Sequence, residues 1–308
     1  MSEPRITKLH SVDLGVADLD AAKRFFTDVW VLAPTQQADG SAWLRGTGPD
    51  RYIIGLHARP RAELIRINLS TDDKGSVDAI HAKAKSYGGL GTVEDPAALK
   101  GPGGGYGFAF KDVEGRNIGV VTGIAAHADT DDVDDRPRKL SHVVLNSDQA
   151  DKTQAQFIDL LGFTLSDKTR MLTFFRCNAD HHSIAVAYGG GPTLHHMAFE
   201  VPDWESVMLG AGRCRDNDTP IEWGVGRHGP GNNVFAYFLG PEGIPIEYTA
   251  EVQQVDDSYP TGGPDDWGFA EGRTDHWGVT DPPSKRMAAA HGKVGCAEGL
   301  GIGALQHA

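Results

Sequence analysis

The sequence repeats itself, and this repeat constrains the fold more than any other feature. The chain matches itself at an offset of 131 residues, so that Leu14 corresponds to Leu145 and Phe26 corresponds to Phe157. A long internal repeat indicates that one structural module is present twice. We therefore expect two related modules in tandem.

Each copy begins with the pattern of a strand followed by a helix. Residues 11–14 alternate between polar and apolar side chains, residues 142–145 are apolar after His142, and both segments predict a β-strand. Asp18 and Asp148 follow these segments and are suited to cap the helices that come next. The apolar spacing beyond them predicts helices of about three turns.

Each copy also ends in the same way. Residues 108–121 resemble residues 235–249, and both predict two strands joined by a tight Glu-Gly turn. Between the copies lies an acidic, Pro-containing stretch that is poor in apolar residues, which predicts a linker. The last part of the chain is rich in Gly, Pro and Asp and predicts a tail that packs on the surface, with a poorly ordered end beyond about residue 290. The expected boundaries are 1–124 for the N-terminal module, 125–139 for the linker, 140–250 for the C-terminal module and 251–308 for the tail.

The second copy carries most of the chemistry. Six of the thirteen histidines lie in residues 142–228. His196 begins a segment that repeats the register of the segment beginning at His142, whereas the adjacent His195 would face the other side of the strand. Glu247 alternates with isoleucines in the closing strand, where a carboxylate is either exposed or buried with a partner.

The first copy lacks these groups. It has residues that would not form a metal site at the three corresponding positions: Ser11, Arg66 and Gly119. Two histidines and one carboxylate are the facial ligand set of non-haem Fe(II) oxygenases. The sequence therefore predicts a metal site in the second module, formed by His142, His196 and Glu247.

Bulk properties exclude other classes of function. The net charge of −13 and the lack of a Lys/Arg cluster argue against nucleic-acid binding. No segment has the roughly 20 apolar residues that a membrane span needs, and the N-terminus has no signal-peptide core. The three scattered cysteines indicate neither a disulfide framework nor a thiolate zinc site. We expect a cytoplasmic protein.

Several stretches resemble one known family. LSHVVL, NADHHSIA, LHHMAFEV, GRHGPGNNVFAYF and PIEYTAE occur in the order found in the type I extradiol catechol dioxygenases of the vicinal oxygen chelate superfamily. In the tail, residues 275–278 resemble the branch of that family that acts on homoprotocatechuate. The resemblance covers the two-copy plan of residues 1–250.

The resemblance implies a fold, an activity and a cofactor. The fold would be α+β, with two tandem modules built from βαβββ repeats, each curling a mixed sheet around a cavity. The activity would be ring cleavage of a catechol by O2 at Fe(II), and the same ligands accept Mn(II). Members of the family commonly form homo-oligomers.

The resemblance also implies roles for residues outside the ligand set. His182 matches the acid–base histidine beside the oxygen site, and the choice of His182 over His181 rests on the resemblance alone. His228 matches a histidine that hydrogen-bonds the substrate side of the site. Tyr237 matches the tyrosine that hydrogen-bonds a catechol oxygen.

One position departs from the homoprotocatechuate branch. Trp223 stands where that branch has an arginine, five residues before the matching histidine. A tryptophan offers a flat apolar wall and cannot pair with a carboxylate. This favours a substrate with an alkyl or aryl substituent, although Trp223 could equally pack against the adjacent strand.

Two other classes of function are compatible with the same fold. A metal-dependent glyoxalase-like lyase or isomerase usually takes ligands from both modules, which the first copy does not offer. A non-catalytic protein that binds small molecules would be expected to lose the metal ligands, which are present here. The glycine-rich residues 101–107 lie beside a hairpin strand without a βαβ unit, so they predict a loop and no dinucleotide site.

Overall fold

The computed structural model describes residues 3–299 and has an α+β fold dominated by strands. The strands of this part of the chain, β1 to β16 in order, are Lys8–Val16, Ala33–Ala38, Ser41–Arg45, Ile54–Ala58, Glu63–Ser70, Ala97–Ala98, Tyr106–Lys111, Asn117–Thr122, Lys139–Ser147, Thr164–Lys168, Leu172–Arg176, Ile184–Glu200, Trp223–Arg227, Val234–Leu239, Pro245–Ala250 and Val294–Cys296. The helices α1 to α5 are Leu19–Arg24, Lys74–Ser86, Ala150–Ala155, Trp204–Asp216 and Lys285–Ala290. Helices α1 and α3 each continue as a π-helical turn, Phe25–Val29 and Gln156–Leu160.

The element order confirms the predicted fold class. A βαβββ unit occurs four times: β1-α1-β2-β3-β4, β5-α2-β6-β7-β8, then β9-α3-β10-β11 with the start of β12, and the end of β12 with α4-β13-β14-β15. Strand β12 bends at Gly189 and Gly190, which have positive φ. Both halves then lie beside β9, so that Val143 has Ile184 opposite it from one half and Met197 from the other.

One of the two predicted helix caps is wrong. Asp18 caps α1 and accepts a hydrogen bond from the backbone N–H of Ala21 at 2.8 Å. The N-cap of α3 is Gln149, which makes no side-chain capping bond, and the Asp148 side chain instead accepts from the N–H of Gly191. The bend in β12 brings that N–H within reach of Asp148.

The hairpin turns bind the two modules to each other. Glu114, in the turn between β7 and β8, accepts hydrogen bonds from the N–H groups of Asp148 and Gln149 at the start of α3. Glu242, in the turn between β14 and β15, does the same for Ala17 and Asp18 at the start of α1. Carboxylates are favourable at helix N-termini, where N–H groups lack partners. Each module therefore supplies a capping carboxylate to the other.

The largest hydrophobic cluster of the described residues extends across both modules. Trp30, at the end of the first π-helical turn, is fully buried and stacks on Tyr248 with ring centroids 3.7 Å apart. Tyr248 is adjacent to Glu247 in β15. The first module therefore packs directly beneath the strand that carries the predicted carboxylate ligand.

The tail contributes regular structure. Strand β16 lies between β12 and β5, with Val294 opposite Leu194 and Cys296 opposite Leu64. The stretch beyond residue 290, expected to be poorly ordered, thus forms a strand, because free strand edges of both modules are available for pairing. The end of that stretch, residues 300–308, lies outside the described residues.

Two further expectations from the sequence concern the cysteines and membrane-spanning segments. The three cysteines are free. Within residues 3–299, no helix is both long and apolar enough to span a membrane.

Candidate metal centre

Three neighbouring strands place the predicted ligands on one surface. His142 in β9 lies opposite Ala198 in β12, and Ala198 lies opposite Glu247 in β15. His196 precedes Ala198 by two residues and so projects from the same face of β12. The small side chain of Ala198 leaves the space between the flanking strands to these three groups.

The ligand atoms have the separations that one metal ion requires. Glu247 Oε2 lies 3.3 Å from His142 Nε2 and 3.1 Å from His196 Nε2. Donor atoms about 2.1 Å from one ion, at right angles to each other, are about 3 Å apart. The three side chains are 2%, 4% and 0% exposed, in the order His142, His196, Glu247. The residues present therefore fit a divalent metal ion.

The electrostatics favour the protonation states that bind metal. Burial alone raises the pKa of Glu247, but the charge of His142 and hydrogen bonds from His142 and His196 hold that pKa well below its usual value. Burial lowers the pKa of His196 in spite of the opposing effect of Glu247. A charged carboxylate and a neutral imidazole are the forms that a metal ion binds at neutral pH.

The second nitrogen of each ligand histidine is also engaged. His196 Nδ1 lies 2.7 Å from His195 Nδ1, and His142 Nδ1 lies 3.2 Å from Ser141 Oγ. Such partners hold the imidazole in the tautomer that leaves Nε2 free for the metal.

A tail residue joins this group. His291, which follows α5, stacks on His195 with ring centroids 3.7 Å apart. His195, His196 and His291 could also hold an ion by distance alone. His196 belongs both to this group and to the group with His142 and Glu247, and only the latter contains a carboxylate.

The first module cannot form an equivalent site. Ser11 pairs with Asn68 and Asn68 pairs with Gly119, which repeats the register of the second module. A Cβ at Gly119 would lie 2.5 Å from Asn68 Oδ1, so a carboxylate has no room there. Arg66 places a cation beside Asp13 where the second module has His196.

The other predicted site residues converge on the same place. The ring of His182 lies 4.3 Å from that of His142, measured between centroids. His228 Nε2 is 3.1 Å from the Tyr237 hydroxyl, which in turn is 3.5 Å from His196 Nε2. His181 points away from the metal site and pairs with Asp167.

Burial sets the ionisation of these groups. It lowers the pKa of His228 to about 4 and lowers that of His182 well below its usual value, to which the nearby His142 and His181 also contribute. Burial, followed by the charge of Glu247, raises the pKa of Tyr237 well above its usual value. At neutral pH the site therefore offers neutral imidazoles and a protonated phenol.

An aromatic and apolar wall closes one side. Trp223 stacks on Tyr237 with centroids 5.0 Å apart, and Phe235 stacks on His228 at 3.9 Å. Met287 of α5 is fully buried against this cluster. Trp223 Nε1 is buried without a hydrogen-bond partner.

Sequence reasoning missed three residues around the site. Met287 and His291 lie in the tail, where no repeat identifies them. Asp167 lies in β10 and had no signal, because an isolated strand aspartate resembles any exposed one. Only the fold brings these residues to the site.

Fold and site together define an α+β metal-binding protein of two tandem modules with one 2-His-1-carboxylate centre. The sequence-family model of the Glyoxalase/Bleomycin resistance protein/Dioxygenase superfamily matches residues 139–248. A solved structure titled Mn(II)-bound glyoxalase from Novosphingobium aromaticivorans is 35% identical, with a TM-score of 0.86, over 92% of this chain and 94% of that one. The chain belongs to this superfamily.

Two curated relatives match over part of the chain. Metapyrocatechase 2 of Cupriavidus necator is 34% identical over 122 residues, which are 39% of this chain and 38% of the relative. Biphenyl-2,3-diol 1,2-dioxygenase of Metapseudomonas furukawaii is 33% identical over 130 residues, 39% of this chain and 43% of the relative. The chain thus spans about two fifths of the length of these relatives.

Proposed function

We propose that this protein is an extradiol dioxygenase that opens the ring of a catechol with O2, in the degradation of aromatic compounds. The observation that carries this proposal is the convergence of His182, His228 and Tyr237 on the centre formed by His142, His196 and Glu247. The relatives named as metapyrocatechase and biphenyl-2,3-diol dioxygenase support the same activity. Fe(II) fits the ligand set, and Mn(II) fits it as well.

Each group has a role that its position supports. When bound, the metal ion would hold both catechol oxygens and bring O2 next to the ring. Tyr237, which stays protonated, donates a hydrogen bond to a catechol oxygen, and His228 orients the Tyr237 hydroxyl from 3.1 Å away. His182 is neutral and accepts a proton from the catechol, which it later returns to the oxygen of the opening ring.

The wall beside the site favours an apolar substituent on the ring. Trp223, Phe235 and Met287 offer aromatic and apolar surface next to Tyr237. None of them carries a positive charge that could form an ion pair with a carboxylate, and a buried carboxylate without a counter-charge is costly. We infer a substrate with an alkyl or aryl group and not a carboxylated catechol.

The test is anaerobic reconstitution with Fe(II), then O2 uptake against 3-methylcatechol, 2,3-dihydroxybiphenyl and homoprotocatechuate. We expect O2 uptake with the first two and little with the third. The Trp223→Arg variant should gain activity towards homoprotocatechuate, because it introduces a cation beside the substrate. Absence of O2 uptake with every catechol would refute the dioxygenase, whereas a wild-type preference for homoprotocatechuate would refute only the role of Trp223.

A second candidate is a metal-dependent lyase or isomerase, supported by the similarity to a protein titled glyoxalase. Such a reaction consumes no O2. Turnover of the hemithioacetal of methylglyoxal and glutathione under argon, without any O2 uptake with catechols, would favour this candidate. The acid–base groups around a single-module ligand set support the dioxygenase instead.

We further propose a cytoplasmic homo-oligomer. The buried free cysteines suit a reducing compartment. An exposed apolar surface around Trp204, Met208, Trp277 and Val279 suits contact with a second copy. A single-copy mass in light scattering would contradict the oligomer, and activity in an extracytoplasmic cell fraction would contradict the location.

A further inference from the structure

Two adjacent histidines, His181 and His182, point in opposite directions. His182 faces the metal centre, whereas His181 is fully buried on the other side of the chain. The two rings remain connected, because His181 Nδ1 lies 3.1 Å from His182 Nδ1. The other nitrogen of His181, Nε2, lies 2.6 Å from Asp167 Oδ2. Asp167, His181 and His182 therefore form a continuous chain of hydrogen bonds.

Asp167 can act only as an acceptor in this chain. Its Oδ1 receives the backbone N–H of Gly262 at 2.6 Å, and its Oδ2 receives the Tyr259 hydroxyl at 2.9 Å. The Asp167 side chain is fully buried, so these donors and His181 replace its hydration. His181 must therefore present an N–H to it, which puts the His181 proton on Nε2.

For a His181 that carries a single proton, this bond determines the proton positions on both rings. A neutral His181 with its proton on Nε2 has only a lone pair on Nδ1. His182 Nδ1 must then donate to that lone pair. The free nitrogen of His182, Nε2 on the opposite edge of its ring, is left without a proton. Phe174 packs edge-on against the His182 ring at 5.2 Å and limits its rotation.

We propose that Asp167 and His181 are positioning residues that hold His182 in the one orientation and tautomer able to accept a proton from the substrate. This inference rests on the dioxygenase activity proposed above, since it explains why His182 is ready as a base. Neither residue touches the substrate. They act through the hydrogen bond between the two histidines.

A purely structural pair would also be buried, so the test must change the polarity of the chain and leave its shape intact. Asp167→Asn is isosteric, and the N–H of Gly262 keeps the amide oxygen at the Oδ1 position. The amide nitrogen then faces His181 Nε2 and donates to it. This moves the His181 proton to Nδ1 and reverses the bond to His182, so that His182 carries its proton on Nε2.

The matched control is Tyr259→Phe. It removes one donor to Asp167 but leaves the bond to His181 unchanged. We expect its kcat to stay within about threefold of wild type. For Asp167→Asn, we expect kcat to fall about 100-fold or more, by analogy with tautomer reversal in hydrolases and the usual size of acid–base effects. Bound metal and the anaerobic Kd for catechol should change little in both variants.

A second readout does not depend on activity. Nitrogen-15 NMR of the full chain, labelled at histidine and loaded with diamagnetic Zn(II), distinguishes the two tautomers of each ring. We expect wild-type His182 protonated on Nδ1 and the Asp167→Asn variant protonated on Nε2. If that variant does not fold, His181→Gln removes the Nδ1 acceptor and should lower kcat similarly.

The outcomes separate the two proposals. A folded, metal-loaded Asp167→Asn protein with wild-type kcat would overturn the positioning role, and so would a wild-type His182 without a proton on Nδ1. If wild type cleaves no catechol, the dioxygenase proposal fails on its own. The NMR spectra would still decide the tautomer of His182.

Discussion

At the scale of single residues, the site uses two pairs of adjacent histidines in the same way. In each pair one ring faces the centre and its neighbour engages it through Nδ1, at 2.7 Å for His195 and His196 and at 3.1 Å for His181 and His182. The repeat allowed His196 to be chosen from the sequence, because a register exists to compare. No register exists for the second pair, and the residue that orients it, Asp167, lies on another strand.

The first pair leads to a prediction about metal content. Replacing His196 by Ala removes a ligand from a buried three-residue set, so the protein should retain less than about a tenth of its bound iron or manganese. Replacing His195 by Ala removes only the partner of Nδ1 and should leave most of the metal in place. Elemental analysis of the two purified variants checks this, and the reverse ranking would mean that His195 is the ligand.

At the scale of elements, the sequence predicted the opening strand and helix of each copy and the two closing hairpins. It did not predict what the hairpin glutamates do. Glu114 accepts hydrogen bonds from the N–H groups at the start of α3. It also accepts hydrogen bonds from the Ser147 hydroxyl and from the fully buried guanidinium of Arg116. The contacts with Ser147 and with the start of α3 join the two modules, and a pattern within one module carries no information about them.

The Glu114 contacts predict a difference between the two hairpins. Burial raises the pKa of Glu114, but the Ser147 hydrogen bond and the Arg116 charge outweigh it and lower that pKa overall. Glu114→Gln removes a charge paired with buried Arg116 and should lower the free energy of unfolding by about 1–3 kcal/mol. Glu242→Gln, at an exposed cap, should cost about 1 kcal/mol or less. Urea denaturation of both variants measures this. An equal cost would show that the pairing of Glu114 with Arg116 does not contribute to the free energy of unfolding.

At the scale of the whole molecule, the two copies of the module pack against each other, and the 2-His-1-carboxylate site lies in the second copy. The shared core, the exchanged carboxylates and strand β16 all cross between the modules. The repeat predicted two modules and an unequal distribution of chemistry between them. It could not predict this interlock, because the contacts join residues of different copies, and a comparison of one copy with the other does not show which residues meet.

A buried histidine in the N-terminal module should make the free energy of unfolding depend on pH. His10 in β1 is buried, and burial lowers its pKa to about 4, while the nearby Asp50 and Asp13 oppose this and Lys8 adds to it. The unfolded chain then binds more protons than the folded one between about pH 6.5 and 4, so stability falls as the pH falls through this range. This difference in proton binding lowers the free energy of unfolding by about 3 kcal/mol across the range. Comparing denaturation of wild type and His10→Gln at pH 7 and pH 4.5 checks this, and equal pH dependence in both proteins would contradict it.

The interlock itself is tested at Trp30, which belongs to the first module but stacks on Tyr248 of the second. Trp30→Ala leaves a cavity in a fully buried position and should cost about 3–5 kcal/mol. Because the core is shared, both modules should lose that stability together. In guanidinium, metal release and loss of far-UV circular dichroism should therefore shift to the same lower midpoint.

Met171→Ala is the control for that experiment, since Met171 is 69% exposed between β10 and β11 and lies outside the apolar surface proposed for contact with a second copy. Truncation to Ala there should cost at most about 0.5 kcal/mol, because it creates no cavity. Two separate transitions, of which Trp30→Ala moves only the one without metal release, would mean that the modules unfold independently. The stability of the metal centre would then not depend on the first module, and the stacking of Trp30 on Tyr248 would be a local contact.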